Sequence, residues 1–281
     1  MPTETITSET GLTLAGFHWR VQDGVRALVC APLAEEGFTN AFSTRLGGVS
    51  PMPDSDLNLA GFSDDAADNI HENRRRFLRL LGGSWTLAAN WQVHGADVRL
   101  VADAEDARSE DVHCDASLTR ARGVLLAVKT ADCVPVLLGD ARAGVCAAVH
   151  AGWRGTLARI VQKTLARMTA EFGTRPGDVR AAIGPAARAC CYEVGAEVIE
   201  AFRAGFHDAD ELFTPTRDAH ALVDLHTANL RQLVEAGASA ERIHIAPLCT
   251  MCRTDLFFSY RREKRLYGRT GRLLSVIGRQ I

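Results

Sequence analysis

The stretch from residue 124 to residue 155, VLLAVKTADCVPVLLGDARAGVCAAVHAGWRG, decides the fold class of this chain. It holds three short apolar runs, at residues 124–128, 134–138 and 144–149, which polar or glycine-containing segments separate. Short apolar runs bounded in this way are typical of buried strands. Because the first two runs lie so close along the chain, we expect them to be adjacent strands of one sheet.

The third run leads into a helical pattern. Apolar residues recur at helical spacing over residues 156–172, and Gly173 and Pro176 are typical of the end of a helix. The alternation continues, with helices predicted at residues 68–81, 196–204 and 228–236 and strands at 179–183 and 243–246. Alternating strands and helices indicate the α/β class. No linker, repeat or low-complexity segment divides the chain, so we expect one catalytic domain over residues 1–281.

The composition and charge indicate a globular protein that acts on small molecules. Hydrophobic residues make up 47% of the 281 positions, and the 32 basic and 34 acidic side chains leave a net charge of -2. This balance predicts no surface for nucleic acid or an anionic membrane. No run of about 18 apolar residues and no secretory leader is evident. We therefore expect a cytoplasmic protein, either a monomer or a small homo-oligomer.

Eight cysteines are too sparse in a chain of this length for a disulfide scaffold. Cys249 and Cys252 have the spacing of a redox or zinc-ribbon pair. No second C-x-x-C pair accompanies them, and no clear helix follows Cys249 as a thioredoxin-like site would need. The sequence therefore gives this pair little support as a redox or metal site.

Three residues follow or separate apolar runs where strand ends would place them on one rim of a sheet: His94, Cys133 and His150. Two imidazoles and a thiolate form a good ligand set for Zn²⁺ and leave a fourth position for a reactive water. The same residues allow a metal-free alternative, in which the Cys133 thiolate is a nucleophile and a histidine is its base. A purely structural role for each residue also remains open.

Charged neighbours strengthen the functional interpretation. Asp132 directly precedes Cys133 and could orient a ligand or carry a proton. Arg154 lies near the predicted start of a helix, where an anion such as phosphate is favoured. Arg45, next to a glycine turn, is a second candidate for binding an anion. The segment FFSYRR at residues 257–262 could be an edge strand or a lid over a purine-sized ligand.

These stretches together resemble the YfiH-like family, formerly labelled multicopper polyphenol oxidase or laccase domain and more recently described as purine nucleoside phosphorylases. The matching motifs include NWQVHGADV at 90–98, KTADCVPVLL at 129–138, AAVHAGWRGT at 147–156, CYEVG at 191–195 and FFSYRR at 257–262. They cover nearly the whole chain after about residue 40, and the TADC and HAGWRG segments are the most specific.

The resemblance implies a four-layer α/β/β/α sandwich with mixed β-sheets. It implies phosphorolysis of adenosine, inosine and 5'-methylthioadenosine to the free base and the (methylthio)ribose 1-phosphate, together with adenosine deaminase activity. It also implies a metal, Zn²⁺ or Cu²⁺, on His94, Cys133 and His150. We expect the catalytic residues to be Cys133, Asp132 and His150. We expect purine nucleoside and phosphate to be bound by Arg45, Arg154, Tyr192, Glu193 and Arg261.

Three other functions are alternatives to this one. An amide hydrolase that edits peptidoglycan precursors would use Cys133 as a nucleophile or the same metal, and a metal-binding partner protein would have a vestigial site. The older label of copper-dependent polyphenol oxidase is disfavoured, because a multicopper laccase needs about ten histidine ligands, partly as H-x-H pairs. This chain has 9 histidines and no H-x-H pair.

Overall fold

Helices and strands alternate along the computed structural model, which describes residues 9–52, 56–109 and 111–281. The helices in these ranges are α1 (Glu9–Leu14), α2 (Ala31–Glu35), α3 (Ala67–Leu81), α4 (Trp153–Leu157), α5 (Ile160–Phe172), α6 (Ala196–Gly205), α7 (Leu225–Glu235) and α8 (Tyr260–Tyr267). The strands are β1 (Phe17–Gln22), β2 (Val25–Cys30), β3 (Thr39–Ser43), β4 (Thr86–Ala89), β5 (Val98–Leu100), β6 (Ala116–Thr119), β7 (Val124–Thr130), β8 (Val134–Asp140), β9 (Val145–Ala151), β10 (Arg180–Ile183), β11 (Glu193–Gly195), β12 (Phe213–Arg217), β13 (His220–Val223), β14 (Ile243–Ile245) and β15 (Leu273–Gly278).

Most of the strands form two mixed six-stranded sheets. The first sheet has the order β1-β2-β3-β15-β7-β4, and only the β4 and β7 pair in it is parallel. The second has the order β14-β10-β8-β9-β6-β5, with parallel pairs at both edges. A smaller antiparallel sheet, β11-β13-β12, lies outside both.

The alternation of side chains along each strand defines the layers. On β7, Leu126 and Val128 belong to a core cluster shared with Leu137 and Ala148 of the second sheet, so the two sheets pack face to face. The intervening residues of β7 face the other way and pack with Phe77 of α3. On β8 and β9, the alternate residues pack instead against α5, α6 and α7. The predicted four-layer α/β/β/α sandwich is confirmed.

The predicted adjacency of the first two apolar runs is wrong. Both are strands, but β7 lies in the first sheet and β8 in the second. The chain crosses between the sheets through residues 131–133, and Asp132 has a φ of 95° at this crossing. A strand that is buried on both faces has a continuous apolar sequence. This holds whether the next strand of the chain pairs with it in the same sheet or packs on it from the other sheet, so the sequence pattern does not distinguish the two arrangements.

The helix predicted over residues 156–172 is also interrupted. It divides into α4 and α5 at Arg159, whose φ of 60° lies in the left-handed region. The Arg159 guanidinium lies 5.0 Å from the ring centroid of Phe206 and 3.0 Å from the carboxylate of Glu235. These tertiary contacts accompany the break, which apolar spacing alone does not reveal. The predicted end at Gly173 is confirmed, with a left-handed φ of 65°.

No helix among the described residues is both long enough and apolar enough to cross a membrane.

His226 provides a test of the packing of α7 against the second sheet. Its side chain is buried, and its Nε2 lies 3.1 Å from the carbonyl oxygen of Gly184 at the end of β10. Burial, assisted by the positive charge of Arg188, lowers the pKa of His226 from 6.5 to about 4. The unfolded chain therefore binds a proton here more readily than the folded chain does.

This contribution to the free energy of unfolding is complete above pH 6.5 and decreases as the pH falls toward 4. Between pH 7 and pH 5 we expect His226 to account for a loss of about 1–2 kcal/mol. Urea unfolding at pH 7 and pH 5 measures the free energy of unfolding. The loss between these pH values should be smaller in His226→Gln than in the wild-type protein. The control His207→Gln, at a side chain that is 91% exposed, should retain it. An equal loss in His226→Gln and the wild-type protein would contradict the prediction.

Candidate metal centre and its cavity

The structure brings His94, Cys133 and His150 together from three separate parts of the chain. One ligand atom from each lies within 4.8 Å of the others. The two imidazole rings are 5.0 Å apart between centroids and meet edge to face. His94 is exposed, Cys133 is half-buried and His150 is buried, so the group opens to solvent on one side. The arrangement suits a cation with three protein ligands and one open position.

Each ligand has a distinct local origin. His94 lies in the loop between β4 and β5 and has a φ of 58°, which turns the backbone sharply at this position. Cys133 ends the crossing between the two sheets, directly before β8. His150 is the second-last residue of β9 and so lies within the strand, not after its end. Gly152 follows that strand, and a Cβ there would lie 3.0 Å from Cys133 Sγ and 3.3 Å from His94 Cδ2.

Asp115 organises both histidines. Its carboxylate, which is fully buried, accepts hydrogen bonds from the backbone N–H groups of Val93, His94 and Gly95 at 3.1, 2.9 and 2.8 Å. It also lies 2.8 Å from His150 Nδ1. This contact directs the proton of neutral His150 to Nδ1 and leaves Nε2 available to a metal. Burial alone would raise the pKa of Asp115, but His150 and the backbone donors together lower it.

Cys133 and His150 shift the pKa values of each other in opposite directions. Burial alone would raise the pKa of Cys133, but His150 and then His94 lower it to about 6. Burial alone would lower the pKa of His150, but the Cys133 sulfur and then the Asp115 carboxylate raise it to about 9. The thiol of Cys133 therefore ionises at neutral pH. A thiolate is the form that binds a metal or attacks an electrophile.

The three candidate metal ligands lie in the wall of a cavity of about 600 Å³. That volume suits a small organic ligand. The cavity wall also contains four cationic residues, three aromatic residues and one acid, namely Lys129, Arg154, Arg261, Arg272, Trp153, Tyr192, Tyr260 and Asp132. Positive charge, flat aromatic surfaces and a set of metal ligands thus converge on one space.

Three of the predicted ligand-binding residues line this cavity. The side chain of Arg154 is 59% exposed; its guanidinium lies 4.2 Å from the ring centroid of Trp153 and 3.8 Å from Glu197. Arg261 lies over the ring of Tyr192 at 5.2 Å and donates to the carbonyl oxygen of Glu193 at 3.0 Å. Burial, followed by the nearby charge of Cys133, raises the pKa of Tyr192 to about 12.

Asp132 also lines the cavity and connects it to the segment between β14 and α8 and to the first turn of α8. Its carboxylate accepts hydrogen bonds from Thr250 Oγ1 at 2.7 Å, Ser259 Oγ at 2.9 Å and the Arg261 backbone N–H at 2.7 Å. Burial outweighs these donors and raises the pKa of Asp132. The acid is therefore both held in place and biased toward keeping a proton.

The structure places the other two predicted ligand-binding residues elsewhere. The Arg45 side chain is 7% exposed, and its guanidinium forms ion pairs with Asp56 at 2.6 Å and Glu263 at 2.5 Å. It also donates to the carbonyl oxygens of Thr254 and Met52, so its donors are already used within the fold. Its contacts join α8 to the loop that follows β3, and it is absent from the cavity wall.

Glu193 is the second of these residues. Its carboxylate accepts hydrogen bonds from Thr216 and Arg217 of β12, both at 2.8 Å, and it is absent from the cavity wall. Only its backbone carbonyl takes part in the site, through Arg261.

Sequence reasoning missed Asp115, Lys129, Tyr260 and Arg272. The only sequence signal for Asp115 is its place in the motif CDASLT at residues 114–119.

Gln92, in the motif NWQVHGADV, stabilises the loop that carries His94. Its side-chain amide pairs with the backbone N–H and carbonyl of Lys129 at 2.7 and 2.8 Å, which ties the His94 loop to the end of β7.

Comparisons with known proteins agree with this architecture. The sequence model of a family described as multi-copper polyphenol oxidoreductase laccase matches residues 39–280. The chain is 42% identical over 241 residues to a purine nucleoside phosphorylase of Deinococcus radiodurans, with 85% of this chain and 88% of that protein covered. It is 37% identical over 244 residues to purine nucleoside phosphorylase YfiH of Escherichia coli K12, with 86% and 94% covered.

A solved structure shows the same fold. The crystal structure of YlmD from Geobacillus stearothermophilus superposes with a TM-score of 0.86 at 34% identity, covering 95% of this chain and 99% of that one.

Replacing Asp115 tests whether it orients the metal ligands. Asp115→Asn keeps the size of the side chain but replaces one acceptor oxygen by an N–H donor facing the existing donors. We expect the affinity for Zn²⁺ to fall roughly 10- to 100-fold, as for other residues that position metal ligands. Competition with a chromogenic chelator measures it. The control Asp218→Asn, at an exposed position, should bind Zn²⁺ as the wild-type protein does. Unchanged affinity in Asp115→Asn would show that the histidines are held by other contacts.

Proposed function

This chain belongs to the YfiH/YlmD family, whose sequence model is described as a multi-copper polyphenol oxidoreductase laccase, and from that premise we propose that it is a zinc-dependent purine nucleoside phosphorylase. The curated relatives reported above are named purine nucleoside phosphorylases. We propose adenosine, inosine and 5'-methylthioadenosine as its substrates, together with phosphate, and adenosine deamination as a second activity.

One observation carries this proposal: the three metal ligands share a cavity with cationic and aromatic side chains. Phosphate needs positive charge and a purine needs flat apolar surfaces, and both occur in the same wall. A redox enzyme with several copper ions would need further histidine clusters. Among the described residues, His94 and His150 are the only histidines in a group of three or more close metal-binding side chains.

His94, Cys133 and His150 would hold the zinc ion. The fit rests on the close approach of their ligand atoms, the lowered pKa of the thiol and the fixed orientation of His150. When bound, zinc would act as a Lewis acid that activates water for the deamination. Gly152 keeps the space beside Cys133 and His94 clear, because a larger residue would press on both.

In phosphorolysis, a phosphate oxygen forms a bond to C1' of the ribose while the bond from C1' to the purine nitrogen breaks. The electron pair of that bond leaves with the purine. Arg154 and Arg261 are our candidates for holding the phosphate. A phosphate held beside C1' stabilises the positive charge that develops on the ribose, and charge stabilisation of this kind contributes strongly to catalysis.

The aromatic side chains bind and orient the purine in this proposal. Trp153, Tyr192 and Tyr260 line the cavity with their rings, and each of these rings already has an arginine over it. Asp132 is the group we assign to carry the proton that the departing purine gains, because its raised pKa favours the protonated carboxyl at the cavity wall. Thr250 and Ser259 hold that carboxyl in place.

The phosphorylase assignment is tested with purified protein, adenosine and phosphate. We expect adenine and ribose 1-phosphate, together with some inosine from deamination, and Cys133→Ala should reduce both reactions to the background without enzyme. Chromatography of the products measures both. The control Cys146→Ala, at a buried position in the core between the sheets, should keep wild-type turnover.

Unchanged turnover in Cys133→Ala would overturn the site assignment.

A second candidate function is hydrolysis of an amide in a peptidoglycan precursor by a Cys133 nucleophile. The ionised thiol beside His150 favours it. Treatment with a metal chelator distinguishes the phosphorylase from the thiol hydrolase. The phosphorylase should lose activity with a strong chelator and regain it with Zn²⁺, whereas a thiol hydrolase should keep its activity and be inactivated by iodoacetamide.

The phosphate site is tested with Arg154→Ala. A hydrogen bond to a charged group contributes about 1.5–3 kcal/mol, so the KM for phosphate should rise roughly 10-fold or more. The KM for adenosine should change little. Initial rates at varied phosphate measure this. Arg175→Ala, at an exposed position outside the cavity wall, is the matched control. A phosphate KM equal to that of the control would exclude Arg154 from the site.

A further inference from the structure

We propose that Cys190, Cys191, Cys249 and Cys252, here called the cysteine quartet, bind a second zinc ion with a structural role. Their sulfur atoms all lie within 4.8 Å of one another. The quartet shares no residue with the trio of His94, Cys133 and His150. It joins two loops that are about 60 residues apart in the chain, so the site exists only in the folded protein.

The sulfur spacings match a tetrahedral zinc site. Cys190 Sγ lies 3.7 Å from Cys191 Sγ and 3.5 Å from Cys252 Sγ. Cys191 Sγ lies 3.4 Å from Cys249 Sγ and 3.5 Å from Cys252 Sγ. Zinc bound at about 2.3 Å from each of four sulfurs sets sulfur–sulfur distances of about 3.8 Å. A disulfide instead needs a pair at about 2.05 Å. The quartet therefore has the dimensions of a metal site.

The two loops are shaped to present these sulfurs. Cys249 and Cys252 have the two-residue spacing that zinc sites commonly use. A bridge between Ala186 and Cys249 joins the loops, and the Thr250 N–H donates to the Ala186 carbonyl at 3.0 Å. The Arg188 carbonyl accepts from the Cys191 N–H at 3.1 Å, which closes a tight turn that contains both Cys190 and Cys191. Backbone pairing thus fixes the sulfur positions from both sides.

The environment favours a closed, structural site. Ala187, Cys249 and Met251 form a small buried apolar cluster, and Cys191 and Tyr192 pack against it. Four protein sulfurs leave no position for water or substrate, which is typical of structural zinc. Four thiolates this close would repel strongly without a cation between them. Tetrahedral sulfur ligation favours zinc among the common divalent metals.

The quartet lies behind the cavity wall described above. Tyr192 directly follows Cys191, and Thr250 between Cys249 and Cys252 donates to the Asp132 carboxylate at 2.7 Å. A metal that joins the two loops would fix the positions of both residues. The second ion therefore stabilises the wall without contacting the ligand, and its presence does not depend on which reaction the cavity supports.

Metal analysis of the purified protein tests the proposal. By elemental mass spectrometry, the double variant Cys190→Ser/Cys252→Ser should hold one zinc fewer per chain than the wild-type protein and should unfold at a lower temperature. Cys133→Ala should also lose one zinc, and combining all three substitutions should remove both. The control Cys146→Ala, which removes a thiol buried in the core, should keep the wild-type zinc content.

Cobalt substitution gives a second readout that needs no quartet variant. Cys133→Ala loaded with Co²⁺ alone should show the intense visible and near-ultraviolet absorption of cobalt bound by four thiolates. Absence of that spectrum, or wild-type zinc content in the quartet variant, would overturn the proposal. A disulfide among the four cysteines, detected by intact mass in protein purified without reductant, would also overturn it.

Discussion

The candidate active site depends on the carboxylate of Asp115. This buried group accepts hydrogen bonds from three successive backbone N–H groups of the His94 loop and contacts His150 Nδ1. One side chain therefore fixes the backbone that carries one candidate metal ligand, His94, and the ring orientation of another, His150. It can do so because it directly precedes β6, the strand that pairs with β9 beside His150. A buried carboxylate is stable only with donors on all sides, and here the backbone of the His94 loop and the His150 ring provide them.

The third ligand is placed by the packing of the two sheets. The chain leaves β7 in one sheet and enters β8 in the other through residues 131–133, and Cys133 lies at the end of that crossing. Asp132 adopts a φ of 95° there, which is a strained conformation for a residue with a side chain. Three donors hold its carboxylate on the cavity side. The crossing between the two packed sheets therefore places the Asp132 carboxyl and the Cys133 thiol in the same cavity wall.

Two loops that cover the second sheet complete the cavity. One carries Tyr192 and the other carries Thr250, and the cysteine quartet joins them. The segment at residues 257–262 leads into α8, so the edge-strand alternative is wrong. Tyr260 and Arg261 of this segment line the cavity, and a lid over a ligand stays a prediction. Arg45 holds α8 in place through its ion pair with Glu263. A residue that looked like an anion ligand in the sequence therefore has a structural role.

The sequence by itself determined the α/β class, the longest helices (α3, α5, α6 and α7), the strands β7, β8, β9, β10 and β14, and the identities of His94, Cys133 and His150 as a candidate metal set. These follow from short apolar runs, from helical periodicity and from the resemblance of local motifs, all of which are properties of short segments. Only the tertiary structure decided that β7 and β8 face each other, that Asp115 holds both histidines and that Arg45 is saturated by buried partners. It also brought Cys190 and Cys191 to Cys249 and Cys252, although the spacing of Cys249 and Cys252 alone provided little support for a metal site. Strand pairing, burial and hydrogen-bond satisfaction depend on residues far apart in the chain, and no local pattern encodes them.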